Sequence, residues 1–163
     1  MQFRIQRLTI QGSGFLLKQE LDAALGAFGA RDPRELNPLQ MAYIGDTVHD
    51  LYVRSLLIAR GMTVGKMHKQ AIRMVSAFAQ ARMLEAIEAE LTEAESDIAR
   101  RGRNAQAKHA APKHADPADY AHATGLEALW GFLYLTGQTG RLDVLLKLAL
   151  SRTEEIWQKQ SSR

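Results

Sequence analysis

From Leu16 to about Trp157, apolar residues return every three or four positions in one segment after another, and a chain patterned this way buries its core through helices. Leu17, Leu21, Leu25 and Phe28 outline a first helix that Gly29 ends. Asn37 followed by Pro38 opens a second, because Asn can cap free amides and Pro fits the first turn without losing a hydrogen bond. That helix is expected to run to about Arg60, with Gly61 as its stop. Thr63 caps the next, which continues through Val64, Met67, Ile72, Val75 and Phe78 toward Leu84. An acidic helix follows through Ile87 and Leu91 to about Ile98.

Residues 101–117 hold Gly102, Asn104 and two prolines without an apolar period, and read as a long basic loop, a type of segment that often carries function. Asp116 and Pro117 repeat the cap-and-proline start, opening a helix through Leu126, Leu129 and Leu133 that ends near Gly137. The last helix spans about Arg141 to Trp157. Only Phe3, Ile5, Leu8 and Ile10 alternate, as a short edge strand or an unpaired arm would. The fold class is therefore all-α. The chain divides into an N-terminal extension with the first helix, residues 1–35, and a main domain, residues 36–163.

Lys plus Arg, 21, exceed Asp plus Glu, 18, by only three, so net charge identifies no partner. Its distribution is more telling. Arg100, Arg101, Arg103, Lys108 and Lys113 follow one another with no acid between them, whereas Glu85, Glu88, Glu90, Glu93, Glu95 and Asp97 crowd the preceding stretch. The chain has no cysteine, which excludes disulfides and thiolate zinc and points to the cytoplasm. The longest apolar run, Ala128 to Leu135, is too short to span a bilayer, so no membrane is expected. The five histidines lack metal-ligand spacing.

One helix carries an oddity. Gly45 stands inside it, where glycine costs about 1 kcal/mol relative to alanine, and such a glycine usually permits close approach. Asp46 follows, and Ala42, Asp46, His49, Asp50 and Val53 fall on neighbouring positions of one face that could present carboxylates to a metal. An isolated acid there is also what any solvated helix face shows. Glu127 lies in the most apolar helix, beside Leu126, Leu129 and Trp130, and needs either an ion-pair partner or a metal. Tyr43, Tyr52, Trp130, Phe132 and Tyr134 recur at helical intervals and read as core or interface.

The segment Met41-Ala42-Tyr43-Ile44-Gly45-Asp46-Thr47-Val48-His49-Asp50-Leu51 resembles the signature helix of the ribonuclease III family, and Leu126-Glu127-Ala128-Leu129-Trp130-Gly131-Phe132-Leu133-Tyr134-Leu135 resembles its second acidic helix. Gly65-Lys66-Met67-His68 and Arg100-Arg101-Gly102-Arg103-Asn104-Ala105 are similar to the Mini-III branch. The likeness extends from about Leu36 to Ser151. It implies a dimeric helical nuclease domain without a separate double-stranded-RNA-binding domain.

It also implies a magnesium-dependent endoribonuclease, with Asp46 and Glu127 as catalytic and metal-binding residues and Mn²⁺ as a substitute. Two departures stand out: Ala42 and Thr124 occupy positions where the larger family has acids. Magnesium is commonly held by one or two carboxylates plus waters, so the chemistry survives this loss in principle. Double-stranded RNA would be gripped through its phosphates by Lys66, His68, Lys69 and Arg73 on one helix and by Arg100, Arg101, Arg103, Asn104 and Lys108 beyond it. In such a dimer Gly45 would let helices meet closely, core packing being the simpler account. The implied substrate is the precursor of 23S ribosomal RNA, at the stalk joining its ends. A module that binds structured RNA without cutting it is the main alternative, and a helical nucleotide pyrophosphatase, suggested by the acidic stretch, is the other.

Overall fold

The structure is a computed structural model that describes residues 32, 35–109, 113 and 115–161. The N-terminal alternation and the expected first helix lie outside the described residues. Six α-helices follow in the unit Pro33–Arg163: α1 Pro38–Ala59, α2 Val64–Val75, α3 Ala77–Ile87, α4 Glu93–Gln106, α5 Pro117–Leu135 and α6 Thr139–Ser161. A single 3-10 turn, Glu88–Glu90, joins α3 to α4. No strand occurs among the described residues, and no helix there is long and apolar enough to cross a membrane.

The caps explain most of the boundaries. Asn37 Oδ1 accepts from the Leu39 amide at 2.9 Å, and Gln40 Oε1 accepts from the Asn37 amide at 3.3 Å, so α1 begins with a reciprocal capping box and Pro38 in its first turn. Gly61 ends the segment at φ 67°, a left-handed conformation that costs glycine little. Asp116 accepts from the amides of Ala118 and Asp119 at 2.9 and 3.0 Å, starting α5, and Gly137 at φ 71° closes it. Thr63 stands at the start of α2, but its side chain makes no cap hydrogen bond.

Two expectations are corrected here. The helix expected to run unbroken from Thr63 toward Leu84 is split at Ser76, whose backbone is extended at ψ 150° and whose Oγ accepts from the Ala79 amide at 3.2 Å. The apolar period continues across the break, which hid it. The acidic helix likewise does not run through Leu91. Thr92 and Glu95 form a fresh capping box, and α4 then continues to Gln106, through residues expected to be loop. Gly102, read as a loop signal, is a contact residue: a Cβ there would sit 2.7 Å from Ala128 Cβ and 2.9 Å from the Thr124 carbonyl. Close packing against α5 holds a polar, glycine-containing turn in the helix against its weak propensity.

Helix α5 is the axis of the domain. It packs on α1, α3 and α4, and Leu126, Ala128, Leu129, Trp130 and Leu133 are fully buried, as expected for a helix apolar on nearly all sides. At about 25 cal/mol per Å² of apolar surface removed from water, such burial is the main source of stability. Helix α6 covers α3 and is tied down by charge. Arg141 holds Glu95, which is 4% exposed, at 2.8 Å and the Glu90 carbonyl at 2.7 Å, while Arg152 reaches the Ala86 carbonyl and Glu90, both at 2.7 Å. Arg60 and Glu154, 2.6 Å apart, link the end of α1 to α6. His49 is buried and donates from Nε2 to the Met74 carbonyl at 3.1 Å, joining α1 to α2. Burial holds its pKa below the ordinary histidine value.

Candidate active site

Helices α1 and α5 cross at glycines. A Cβ on Gly45 would lie 1.7 Å from the Glu127 carbonyl oxygen and 2.8 Å from the Gly131 amide; a Cβ on Gly131 would lie 1.9 Å from the Met41 carbonyl oxygen. Each helix thus sets bare backbone against the other. Gly45 serves this crossing within one chain, not a meeting of helices between copies. The consequence is chemical: Asp46, next to Gly45, and Glu127, opposite it, line the same cleft, of about 440 Å³.

Asp46 is exposed at the rim and Glu127 is partly buried below it. Burial, and then the charge of Asp46, push the Glu127 carboxyl up to about 8, opposed by a hydrogen bond from Gln80 that favours its charged form. A buried carboxyl facing a second carboxylate across a cleft marks a candidate functional site, since a cation bound between the two would offset both the burial and the repulsion. The donors facing the cleft are hard oxygens, which suit Mg²⁺ or Mn²⁺ and not a thiophilic metal. Ala42 and Thr124 line the same cleft, and Thr124 donates its hydroxyl to the Tyr120 carbonyl at 3.0 Å. Among the described residues no group of three or more His, Asp or Glu side chains is gathered to hold a metal. The protein's share of the donors is therefore two carboxylates and their neighbours.

The other residues of the Ala42 to Val53 face turn elsewhere. Asp50 pairs with Arg54 at 2.7 Å, while His49 and Val53 are buried. The acids of residues 85–97 are mostly spent on arginines, Glu85 on Arg82, Glu90 on Arg152, Glu95 on Arg141 and Asp97 on Arg100, and do not gather around a nucleotide site.

The basic residues divide. Lys66, His68, Lys69 and Arg73 are all exposed on α2. At about 100° per residue, Lys66, Lys69 and Arg73 form one strip, with His68 on another flank. Arg100, Arg101, Arg103 and Asn104 belong to α4 instead of a loop. Arg101 donates to the Leu36 carbonyl at 3.2 Å, and Arg103 Nη1 lies 3.4 Å from His122 Nε2. Arg101, Asn104 and Lys108 line a second hollow, of about 380 Å³, with Asn37, Pro38 and His109 beside the start of α1.

Sequence reasoning missed Gln80, Gln106 and Tyr120, all of which line the first cleft. Gln80 sits in an apolar helix with no motif to mark it. Tyr43 is not core, being 79% exposed at the cleft edge, whereas Trp130 and Phe132 are buried as expected.

Comparison with known proteins agrees with this geometry. The ribonuclease III domain family matches residues 39–138, a range that contains Asp46 and Glu127. A Mini-ribonuclease 3 of Symbiobacterium thermophilum is 50% identical over 119 residues, covering 72% of this chain and 91% of that protein. The Mini-ribonuclease 3 of Enterococcus faecalis is 40% identical over 132 residues, covering 79% and 99%. A solved structure of a Fusobacterium nucleatum protein shares the fold with a TM-score of 0.67 at 24% identity, covering 75% of this chain and 98% of that one. The chain belongs to the ribonuclease III family of endoribonucleases, within its Mini-ribonuclease 3 group.

Proposed function

We propose that the protein cleaves double-stranded RNA by metal-assisted hydrolysis of phosphodiester bonds, as a cytoplasmic homodimer acting on the precursor of 23S ribosomal RNA. The observation that carries this reading is the glycine crossing, which sets Asp46 and Glu127 on one cleft. Asp46 and Glu127 would hold Mg²⁺, or Mn²⁺ in its place. When bound, the ion supplies a water activated for in-line attack and charge stabilisation at the leaving oxygen. Asp46 would offer that ion an exposed carboxylate and Glu127 a deeper one across the cleft.

The exposed strip of Lys66, Lys69 and Arg73 and the hollow of Arg101, Asn104 and Lys108 offer cations to phosphates at two places. Duplex RNA shows a wide, shallow minor groove lined with 2′-hydroxyls, so recognition rests on shape more than on base identity. The homodimer is supported by α1, where Tyr43, Leu51 and Ile58 are 79%, 65% and 67% exposed at spacings of about two helical turns, an apolar stripe that a second copy would cover. The reducing cytoplasm suits a cysteine-free chain.

A second reading, an RNA-binding module without activity, draws on Ala42 and Thr124, which line the cleft where the wider family has acids. Labelled duplex and single-stranded RNA of one sequence, incubated with Mg²⁺, Mn²⁺ or EDTA, separate the two. Metal-dependent cutting confined to the duplex supports the nuclease. Duplex binding without cutting in either metal supports the module.

A further inference from the structure

Four buried side-chain atoms lack a hydrogen-bond partner among the described residues: His49 Nδ1, Gln80 Oε1, Arg82 Nε and Trp130 Nε1. Of these residues only Gln80 lines the cleft of Asp46 and Glu127. Gln80 is 2% exposed. Its amide can face only one way. Nε2 lies 3.2 Å from the Val75 carbonyl, which can only accept, so the nitrogen must point there. The same nitrogen is the only donor Gln80 has for the Glu127 carboxylate, whose charged form it favours. The oxygen is left over, buried at the wall of a polar cleft. An amide kept merely to fill space would be replaced by leucine or methionine without loss, because an unmatched buried oxygen is destabilising.

A cation held by two carboxylates keeps more of its water, and each of those waters needs acceptors for its protons. Ala42 offers none, whereas the Thr124 hydroxyl oxygen, its proton given to the Tyr120 carbonyl, and the unpartnered Gln80 Oε1 are neutral acceptors at the cleft wall. We propose that Gln80 is a positioning residue of this site: Nε2 orients the Glu127 carboxylate and Oε1 accepts a hydrogen bond from water carried by the bound cation. The proposal rests on the metal-dependent reading above. It assigns to an amide in α3 part of the work that further acids do in the wider family.

The test is Mn²⁺ binding to the full metal-free chain, followed by electron paramagnetic resonance, for the unaltered protein and for Gln80→Met, Gln80→Glu and Asp46→Asn. Methionine keeps the length of glutamine and removes both hydrogen-bonding groups. Loss of such an outer partner is expected to weaken Mn²⁺ binding by about 10–100-fold, with helical content, measured by circular dichroism in EDTA, unchanged. Gln80→Glu keeps an acceptor oxygen but removes the Nε2 donor, and should bind more tightly than Gln80→Met. Unchanged affinity in Gln80→Met overturns the proposal while the metal site stands, provided that Asp46→Asn loses binding. Unchanged affinity in Asp46→Asn overturns the metal site and the proposal together. Should Gln80→Met not fold, Gln80→Leu is measured in its place, and unchanged affinity in it overturns the proposal.

Discussion

Replacing Gly45 by alanine sets a local gain against a tertiary clash. Inside a helix, alanine is favoured over glycine by about 1 kcal/mol, so an isolated α1 would be strengthened. In the folded protein the new Cβ would stand 1.7 Å from the Glu127 carbonyl oxygen and 2.6 Å from its carbon, where ordinary contact begins at 3.4 Å. Both partners are backbone, so no rotamer change relieves the overlap. The helices must part by the difference between 3.4 and 1.7 Å, about 1.7 Å. Overpacking of this type costs about 1–3 kcal/mol or more. The upper end applies because main chain must move, leaving a net loss of about 2 kcal/mol or more and a melting temperature lower by roughly 4–8 °C. Parting the helices also parts Asp46 from Glu127, and misplacement by about 1 Å can cost on the order of 10²-fold in rate. Thermal melting and duplex cleavage, measured together, check both numbers. Gly140→Ala is the control, since nothing lies within 4 Å of the position and its φ is ordinary; it should be neutral or slightly stabilising. Gly45→Ala melting at or above the unaltered protein with full cleavage would refute the close crossing.

Three further outcomes are expected. Because the folded Glu127 pKa is raised to about 8 from 4.5, its contribution favours the fold at low pH and fades as pH rises from about 4.5 to 8. Urea titrations of the metal-free protein should show stability falling across that window by on the order of 5 kcal/mol at most, and Glu127→Gln should flatten the slope. Arg141→Met strands the buried Glu95 carboxylate, whose pKa is lowered chiefly by its hydrogen bond to Arg141. A loss of about 3 kcal/mol at pH 7 is expected, shrinking as pH falls through the range where Glu95 protonates, read by denaturant midpoints at two pH values. For RNA, changing Lys66, Lys69 or Arg73 to Gln should lower the slope of log affinity against log salt by about one for each phosphate no longer neutralised, with little dependence on duplex sequence; an unchanged slope removes that residue from the interface.

The fold was legible wherever a cap and an apolar period coincided. Asn37 with Pro38 and Asp116 with Pro117 mark α1 and α5 to the residue. It was illegible where tertiary packing overrode local signals. Gly102 looks like a loop residue until α5 is packed against it, and Ser76 breaks a helix whose apolar period runs straight through. The site was half legible. Gly45 announced a close approach and Asp46 followed it, but neither residue names the partner helix. That the partner is α5, and that Glu127 lies across from Gly45, became visible only in three dimensions. Gln80 carried no signal because a lone amide between alanines looks like any helical surface residue.

The proposed reaction needs Asp46 and Glu127 to act together, and the most direct measurement is cleavage of a labelled RNA duplex in Mg²⁺ by Asp46→Asn and Glu127→Gln, each shown by circular dichroism to be folded. Cutting by the unaltered chain that EDTA abolishes, with each variant reduced by about 10²-fold or more, is the predicted result. Undiminished cutting by either variant would contradict it, and the chemistry would have to be sought away from the crossing of α1 and α5.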